Sequence, residues 1–421
     1  MPGALAPFAR RDFRFQWPAD LLTSWAFEME TLVLGWYVLV STGSVMWLSL
    51  FAALQFIGTL VSPMLGVIAD RLGQRTVLAA MRASYALFAA MLLFMSAAGL
   101  LGPVQVLVVA GLCGLVRPSD MGMRGALVGA TMPPPLLMGA MALQRCSSDA
   151  ARIAGALAGA GLAAALGMTA VYAFITVLYL AALALTLGVR EGRAPAGQGM
   201  AAAASPWSDL AAGFSYVRRV PPLVAAMCLA FLVNALAFPL CTGMLPYVVR
   251  DVYGADRSVL GILLASFAVG ALAGSVLLSI WGMRLLAGRI MLLAALTWFP
   301  LLLVLAWLSD ATAGMVVVGV IGFVQTFCMV PMAVVLLRIA EDRFRGRVMG
   351  LRMLAIYGLP VGLLAAGALI GWMGFTPAAS LFAGVGLVAS LAVMLAWWRH
   401  LWPAEAPANG ARPAGAAARA Q

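Results

Sequence analysis

The feature that most constrains this chain is a series of apolar runs, each about 20 residues long, that recur from one end of the sequence to the other. A run of that length, wound as a helix, crosses the hydrocarbon core of a bilayer. The run from Met291 to Leu308 contains no charged residue, whereas a barrel strand would alternate apolar and polar residues over about ten positions. Because only 10% of the 421 residues are charged, against about a quarter in soluble proteins, we predict an all-α integral membrane protein.

The placement of the arginines predicts the topology. The chain has 26 basic residues, and all of them are arginine. With twelve spans and both termini inside, twenty arginines fall in cytoplasmic segments and only Arg250 and Arg257 fall outside, as the positive-inside rule expects. The net charge of +11 therefore belongs to the loops of a multi-pass protein of the inner (cytoplasmic) membrane, with the lipid bilayer and not nucleic acid as its partner. Four arginines fall within spans: Arg82, Arg117, Arg152 and Arg352. Arg82 lies close enough to the cytoplasmic face for its side chain to extend to the interface.

A long polar interval divides the chain into two halves. Residues 190–220 are rich in Gly, Ala and Pro at first and then show helical periodicity, which predicts a cytoplasmic linker with an amphipathic helix. We expect a six-helix half at residues 1–189, a second at 221–400, and a disordered cytoplasmic tail at 401–421. At the start of the first half we predict a short interfacial helix from Phe8 to Phe15 and a first span from about Pro18 to Val40. The three consecutive prolines of residues 131–135 predict a non-helical linker there.

One internal match supports a repeat. Arg145, Gly155 and Gly167 are spaced like Arg352, Gly362 and Gly374, an offset of 207 residues. The fifth and eleventh spans are therefore candidate repeat equivalents.

The clearest motif is the polar break between the second and third spans, which contains Gly66, Asp70, Arg71, Gly73 and Arg75. The glycines permit a tight turn and the charges can engage a neighbouring helix end and release it. The pattern resembles the loop between the second and third helices of major facilitator transporters. That resemblance implies twelve transmembrane helices in two pseudo-symmetric six-helix bundles, which alternate access to a small-molecule substrate. The alternative is a cytoplasmic turn whose arginines only fix the topology.

The same resemblance implies a cytoplasmic gate around this loop. Asp120 and Arg124 form an i, i+4 pair at the end of the fourth span, and the resemblance implies that they join the loop in a charge network. Asp70 is expected to pair with a cation, or with the positive start of the eleventh span near Arg347, in one conformational state. Residues 342–350, with Thr42-Gly43-Ser44, resemble the branch that contains the enterobactin exporter and related drug efflux proteins.

Two carboxyl groups near the middle of the first span, Glu28 and Glu30, are the strongest candidates for function, since charges at that depth are costly. Glu28 shares one helical face with Asp20, Ser24, Thr31 and Gly35. Glu30 points about 200 degrees away, so we expect it to face a neighbouring helix. A proton-coupled transporter needs a carboxyl group that changes charge at this depth, and Glu28 is the favoured candidate. The alternative is that both glutamates are permanently paired with arginines. The remaining candidates for the cavity are Gln55, Arg117, Asn234 and Gln325.

Other chemistry finds little support. The single histidine is His400 and the five cysteines are scattered without metal-ligand spacing. The chain has no lysine and therefore no nucleotide-binding glycine loop of the usual kind. We predict no enzyme activity, no cofactor and no metal, and a monomer that performs proton-coupled efflux of a small amphiphilic compound, a drug or a siderophore-like metabolite. The alternatives are a lipid or lysolipid flippase on the same scaffold and a metabolite importer.

The topology is tested by reporter fusions at Gly43 and Gln198. The positive-inside rule places Gly43 outside and Gln198 inside, so a phosphatase reporter should be active only at the first position. A cytoplasmic reporter should give the opposite pattern. Matching signals at the two positions would refute the twelve-span topology.

Overall fold

The computed structural model describes residues 6–59, 68–69, 72–190, 206–281, 286–341 and 344–401. Every regular element in those residues is helical. The helices of the first half are α1 (Arg11–Thr42), α2 (Val45–Leu54), α3 (Gln74–Ala97), α4 (Pro103–Thr131) and α5 (Pro134–Leu187). The linker helix is α6 (Pro206–Arg219). The second half comprises α7 (Pro221–Val252), α8 (Arg257–Trp281), α9 (Ala287–Trp307), α10 (Ala311–Ile339), α11 (Arg345–Ala355), α12 (Gly358–Met373) and α13 (Phe375–Leu401).

These helices provide twelve crossings of the bilayer. Among the described residues, nine helices are long and apolar enough to cross a membrane. One of them, Gly139–Leu187, contains Gly167 with φ 78° and ψ −178°, so it bends there and crosses twice. The long helix α1 and the shorter apolar stretch Val45–Thr59 supply the other two crossings. The eleventh crossing is α11 followed by α12.

The structure differs from the sequence prediction at several helix ends. We predicted a first span from Pro18 to Val40 after a separate interfacial helix, but α1 runs without interruption from Arg11 to Thr42. We also predicted that residues 131–135 are not helical. Only Met132 and Pro133 lie outside the helices, because Pro134 opens α5, where its missing N–H leaves no hydrogen bond unmade.

The internal repeat is visible in the backbone. Gly167 and Gly374, separated by the offset of 207 residues, have φ of 78° and 85° and both end a crossing. A Cβ on Gly155 would lie 2.7 Å from Cβ of Glu28, and one on Gly362 would lie 2.7 Å from the carbonyl carbon of Ala235. Glu28 and Ala235 are separated by the same offset. The fifth and eleventh crossings therefore pack in the same way on α1 and α7.

The two halves touch at the face predicted to be external. The guanidinium of Arg250 in α7 donates a hydrogen bond of 2.6 Å to the carbonyl of Leu39 near the end of α1. The hydroxyl of Ser49 in α2 lies 3.7 Å from the sulfur of Met244, and α12 packs on Ser49 at Gly367. The arginine binds the negative end of the α1 dipole. The structure is therefore closed on this face.

The close packing at Gly362 gives a stability prediction. Gly362→Ala should lower the free energy of unfolding by about 1–3 kcal/mol, as overpacking generally does, because the new methyl group meets the backbone of α7. Gly161→Ala is the matched control, since nothing lies within 4 Å of its Cβ position. Melting temperatures in detergent measure the difference, and equal values for the two variants would contradict the packing described here.

Candidate functional site

Glu28 forms an ion pair with an arginine of the fifth crossing. The Arg152 Nε atom lies 3.5 Å from Glu28 Oε1. Both side chains keep about a third of their surface exposed, at 36% and 37%. Gly155 lets α5 approach the backbone of α1 at this point. The pair is therefore partly exposed and is held by one contact of 3.5 Å.

Glu30 lies in a different environment. It is only 5% exposed and accepts a hydrogen bond of 3.0 Å from the hydroxyl of Tyr179, in the sixth crossing. The Tyr179 ring packs against Tyr85 of α3, with the ring centres 5.5 Å apart. Glu30 thus faces neighbouring helices of its own half, which is the orientation that the rotation of about 200 degrees from Glu28 predicts.

Gln55 and Arg117 meet at the point where α2 ends. The Gln55 side-chain oxygen accepts hydrogen bonds from Arg117 and from the hydroxyl of Thr31, the latter at 3.1 Å. Arg117 also donates to the carbonyl of Phe27 at 3.1 Å. This cluster joins α1, α2 and α4. The structure therefore brings together two of the predicted cavity residues, although neither contacts Glu28 through a hydrogen bond or an ion pair in the described residues.

Asp20 is the centre of a buried network and does not share the environment of Glu28. It is 4% exposed and pairs with Arg82 of α3, which also donates to Thr186. Gln144 of α5 donates to its second carboxylate oxygen at 2.7 Å. The sequence allowed Arg82 to extend to the cytoplasmic interface, but its side chain is fully buried. Asp20 therefore ties α1 to α3 and α5.

Arg124 binds α1 from the side of α4. It pairs with Asp120 in its own helix, donates to Ser24 Oγ at 2.6 Å and donates to the carbonyl of Asp20 at 3.1 Å. Asp120 is 1% exposed. The i, i+4 pair predicted from the sequence thus exists, and in this structure it holds α1 against α4.

Part of the predicted gate can be located. Gly66, Asp70 and Arg71 lie outside the described residues, so the gate stays a prediction. Gly73 has φ 90° just before α3, and Arg75 donates a hydrogen bond of 2.6 Å to the carbonyl of Leu187 at the end of the sixth crossing. Arg347 lies against the linker helix, where a Cβ on Gly213 would be 3.1 Å from Cβ of Arg347.

The second half offers few polar side chains in its crossings. Asn234 donates to the carbonyl of Ala230 in its own helix at 2.8 Å and begins a wide π-helical turn with Val233. Gln325 is half-buried in α10, and its neighbour Thr326 donates to the carbonyl of Ala271 at 3.1 Å. Among the described residues, no group of three or more His, Cys, Asp or Glu side chains could hold a metal ion.

The sequence did not identify the partners of the acidic residues. Arg152, Arg82, Gln144 and Tyr179 were not assigned to any site, although the depth of Arg152 and Arg82 within spans was a signal of function or pairing. Periodicity gives the direction in which a side chain points along its own helix but not which helix lies there. The pairs could therefore be found only in the folded structure.

The family model described as transmembrane secretion effector matches residues 2–411. The chain belongs to this family. No curated protein matches the sequence, whereas solved structures of major facilitator transporters share the fold.

The nucleoside transporter NupG is 16% identical, with a TM-score of 0.68, and the match covers 91% of this chain and 98% of that one. The POT family transporter PepTSo is 11% identical, with a TM-score of 0.72 and coverage of 94% and 99%. A D-xylose–proton symporter is 14% identical, with a TM-score of 0.66 and coverage of 90% and 96%. At these identities the likeness establishes the twelve-helix major facilitator fold, and the family and fold are those of multi-pass membrane transporters.

The Asp20 network gives the prediction of this subsection. Asp20→Asn should lower the free energy of unfolding by about 3–5 kcal/mol, because it leaves the buried Arg82 charge without an anion. Asp20→Asn with Arg82→Gln should recover part of that loss. Melting in detergent is the measurement.

Asp149→Asn is the matched control. Its partner Arg145 lies 3.3 Å away and is 63% exposed, so the change should cost no more than about 1 kcal/mol. If the Asp20→Asn and Asp149→Asn variants have the same melting temperature, the network around Asp20 does not stabilise the fold.

Proposed function

We propose that the chain is a proton-coupled exporter of a small amphiphilic compound, which works by alternating access between its two six-helix halves. The family to which it belongs is described by secretion, which supports export. One protein with the same fold is a D-xylose–proton symporter, which supports the use of protons on this scaffold. We place the transporter in the inner membrane with both termini cytoplasmic, on the distribution of arginines.

The observation that carries proton coupling is the accessibility of Glu28. A residue that exchanges protons with both sides of a membrane must be reached by water in the course of the cycle. Glu28 is 37% exposed, whereas Glu30, Asp20 and Asp120 are 5%, 4% and 1% exposed. Of the acidic side chains described within the crossings of the first half, Glu28 is therefore the one best placed to exchange protons with water.

The position of Glu28 also supports a link between its charge and the conformation. Gly155 of α5 lies against Cβ of Glu28, and the next residue, Ala156, lies against α8 at Gly261. The two contacts belong to adjacent faces of one helix, and the second of them joins the two halves. When Glu28 takes up a proton, Arg152 loses its counter-ion, and the resulting shift of α5 acts directly on the contact with α8.

The opposite state requires closure of the cytoplasmic face. In this proposal the loop from Gly66 to Arg75 forms the gate there, with Asp70 engaging the start of α11 near Arg347. Arg75 already fastens the end of this loop to Leu187. The loop therefore biases the equilibrium between states and does not contact the substrate.

The test uses inverted membrane vesicles and three probes that share one apolar body: pyrenebutyrate, pyrenebutanol and pyrenebutyltrimethylammonium. Export appears as accumulation driven by an imposed proton gradient. Glu28→Gln mimics the protonated form, so it should abolish gradient-driven accumulation while exchange without a gradient continues. Tritiated lysolipid is included, because movement of lysolipid without a gradient would favour a flippase instead.

Glu30→Gln is the matched control in the same helix. It weakens the bond from Tyr179, which should lower the free energy of unfolding by about 1–3 kcal/mol and reduce expression, while the folded fraction keeps its coupling. The proposal fails if Glu28→Gln still concentrates a probe against its gradient while Glu30→Gln does not. Accumulation only in right-side-out vesicles would identify an importer.

A further inference from the structure

The internal repeat makes the charges of the two halves directly comparable. Arg145 and Arg352 are separated by the offset of 207 residues that also relates Gly155 to Gly362. Asp149 lies four residues after Arg145, and its carboxylate oxygen is 3.3 Å from Arg145 Nε. The residue four positions after Arg352 is Ile356. The second half thus keeps the arginine of the repeat and lacks its acid.

None of the other described residues supplies Arg352 with a counter-ion. Within the described part of the chain, no hydrogen bond, ion pair or aromatic ring engages its guanidinium. The acid that faces the fifth crossing from α1 is Glu28, and its repeat equivalent in α7 is Ala235. Among the described residues, the C-terminal half therefore has an unmatched positive charge where the N-terminal half has paired charges.

The side chain of Arg352 is turned towards the protein. Val348 and Ala355 are buried, and Arg352 lies about 40 and 60 degrees from them around the helix axis. Met353 and Leu354, on the other side, are 45% and 39% exposed. The side chain is half-buried. A guanidinium that bound only lipid headgroups would lie on the exposed face of the helix with Met353 and Leu354, and not next to the buried face.

The backbone next to Arg352 is interrupted. α11 ends at Ala355 and α12 begins at Gly358, and the amides of Ile356 and Tyr357 bond to carbonyls only three residues back. Gly358 packs on α7 beside its wide π-helical turn at Val233–Ala237. Broken membrane helices occur where transporters hold their ligands. Arg352 lies roughly 10 Å along the axis from Arg345 at the start of α11, below this break.

We propose that Arg352 binds the acidic group of the transported compound, which is therefore an amphiphilic anion such as a carboxylate, a sulfonate or a phosphate monoester. Arginine presents a planar fork of donors that fits such groups, and the anionic group of the ligand supplies the counter-ion that Arg352 lacks among the described residues. This inference rests on the proposed function as far as transport is concerned. With Glu28 ionised and paired to Arg152, the anion on Arg352 leaves these groups with no net charge, and Glu28 need not be protonated for the anion to bind.

The test is equilibrium binding to the full chain in phosphatidylcholine vesicles, without a proton gradient, so that a failure of proton coupling at Glu28 does not affect it. Pyrenebutyrate should bind roughly tenfold tighter than pyrenebutanol, and pyrenebutyltrimethylammonium should bind no tighter than the alcohol. Arg352→Gln should abolish the preference for the carboxylate while the alcohol binds as before. Arg352→Lys should keep part of it, since the charge remains. Arg145→Gln is the control at the equivalent position and should change nothing.

Three results would overturn the proposal. The first is a wild type that binds the alcohol as tightly as the carboxylate, or binds neither. The second is an Arg352→Gln variant that keeps the preference for the carboxylate. The third is loss of the preference in the wild type when phosphatidylglycerol is added to the vesicles, because the site then takes a lipid phosphate. The alcohol controls for folding, since a misfolded variant would lose it as well.

Discussion

The carboxylate of Asp20 holds the first half together. In a bilayer the alternative to an internal partner is an unpaired charge in hydrocarbon, so each intramembrane ion draws neighbouring helices towards it. Asp20 draws in α3 through Arg82 and α5 through Gln144, while Arg124 attaches α4 to the same turn of α1. Arg82 in turn reaches Thr186 at the end of the sixth crossing. Four other crossings are thus anchored, directly or through Arg82, at the turn of α1 that contains Asp20. This anchoring also fixes the position of Glu28, which lies two turns further along α1.

The sequence predicted the crossings and the repeat because both depend on local patterns. Apolar length determines whether a helix can cross, and two glycines at the same spacing mark the same turn in each half. The opposite faces of Glu28 and Glu30 were also predictable, since helix geometry alone separates them. Asp20 and Glu28 share a face by the same geometry, yet Asp20 is buried in a network while about a third of the Glu28 side chain is exposed. That difference depends on which helix lies opposite each of them.

Departures from regular helix were the other feature that the sequence did not reveal. No consistent sequence pattern marks these departures, since proline and glycine also occur where the helices continue. They are the end of α2 at Gln55, the π-helical turns of α7 and the interruption between α11 and α12. At each site a tertiary contact decides the backbone. Gln55 is held by Arg117 and Thr31, and Gly358 is pressed against α7. The candidate residues lie next to such breaks, which is why their roles follow from the fold and not from the motif.

The turns at Gly167 and Gly374 consist of one glycine each, so the ends of the two crossings that each turn joins lie close together. A loop of several residues would let the two helix ends move apart, whereas a turn of one residue keeps them close together. The fifth and sixth crossings are therefore joined directly at one end. The fifth crossing carries Arg152 and the sixth carries Tyr179, so the partners of Glu28 and of Glu30 belong to two directly connected helices.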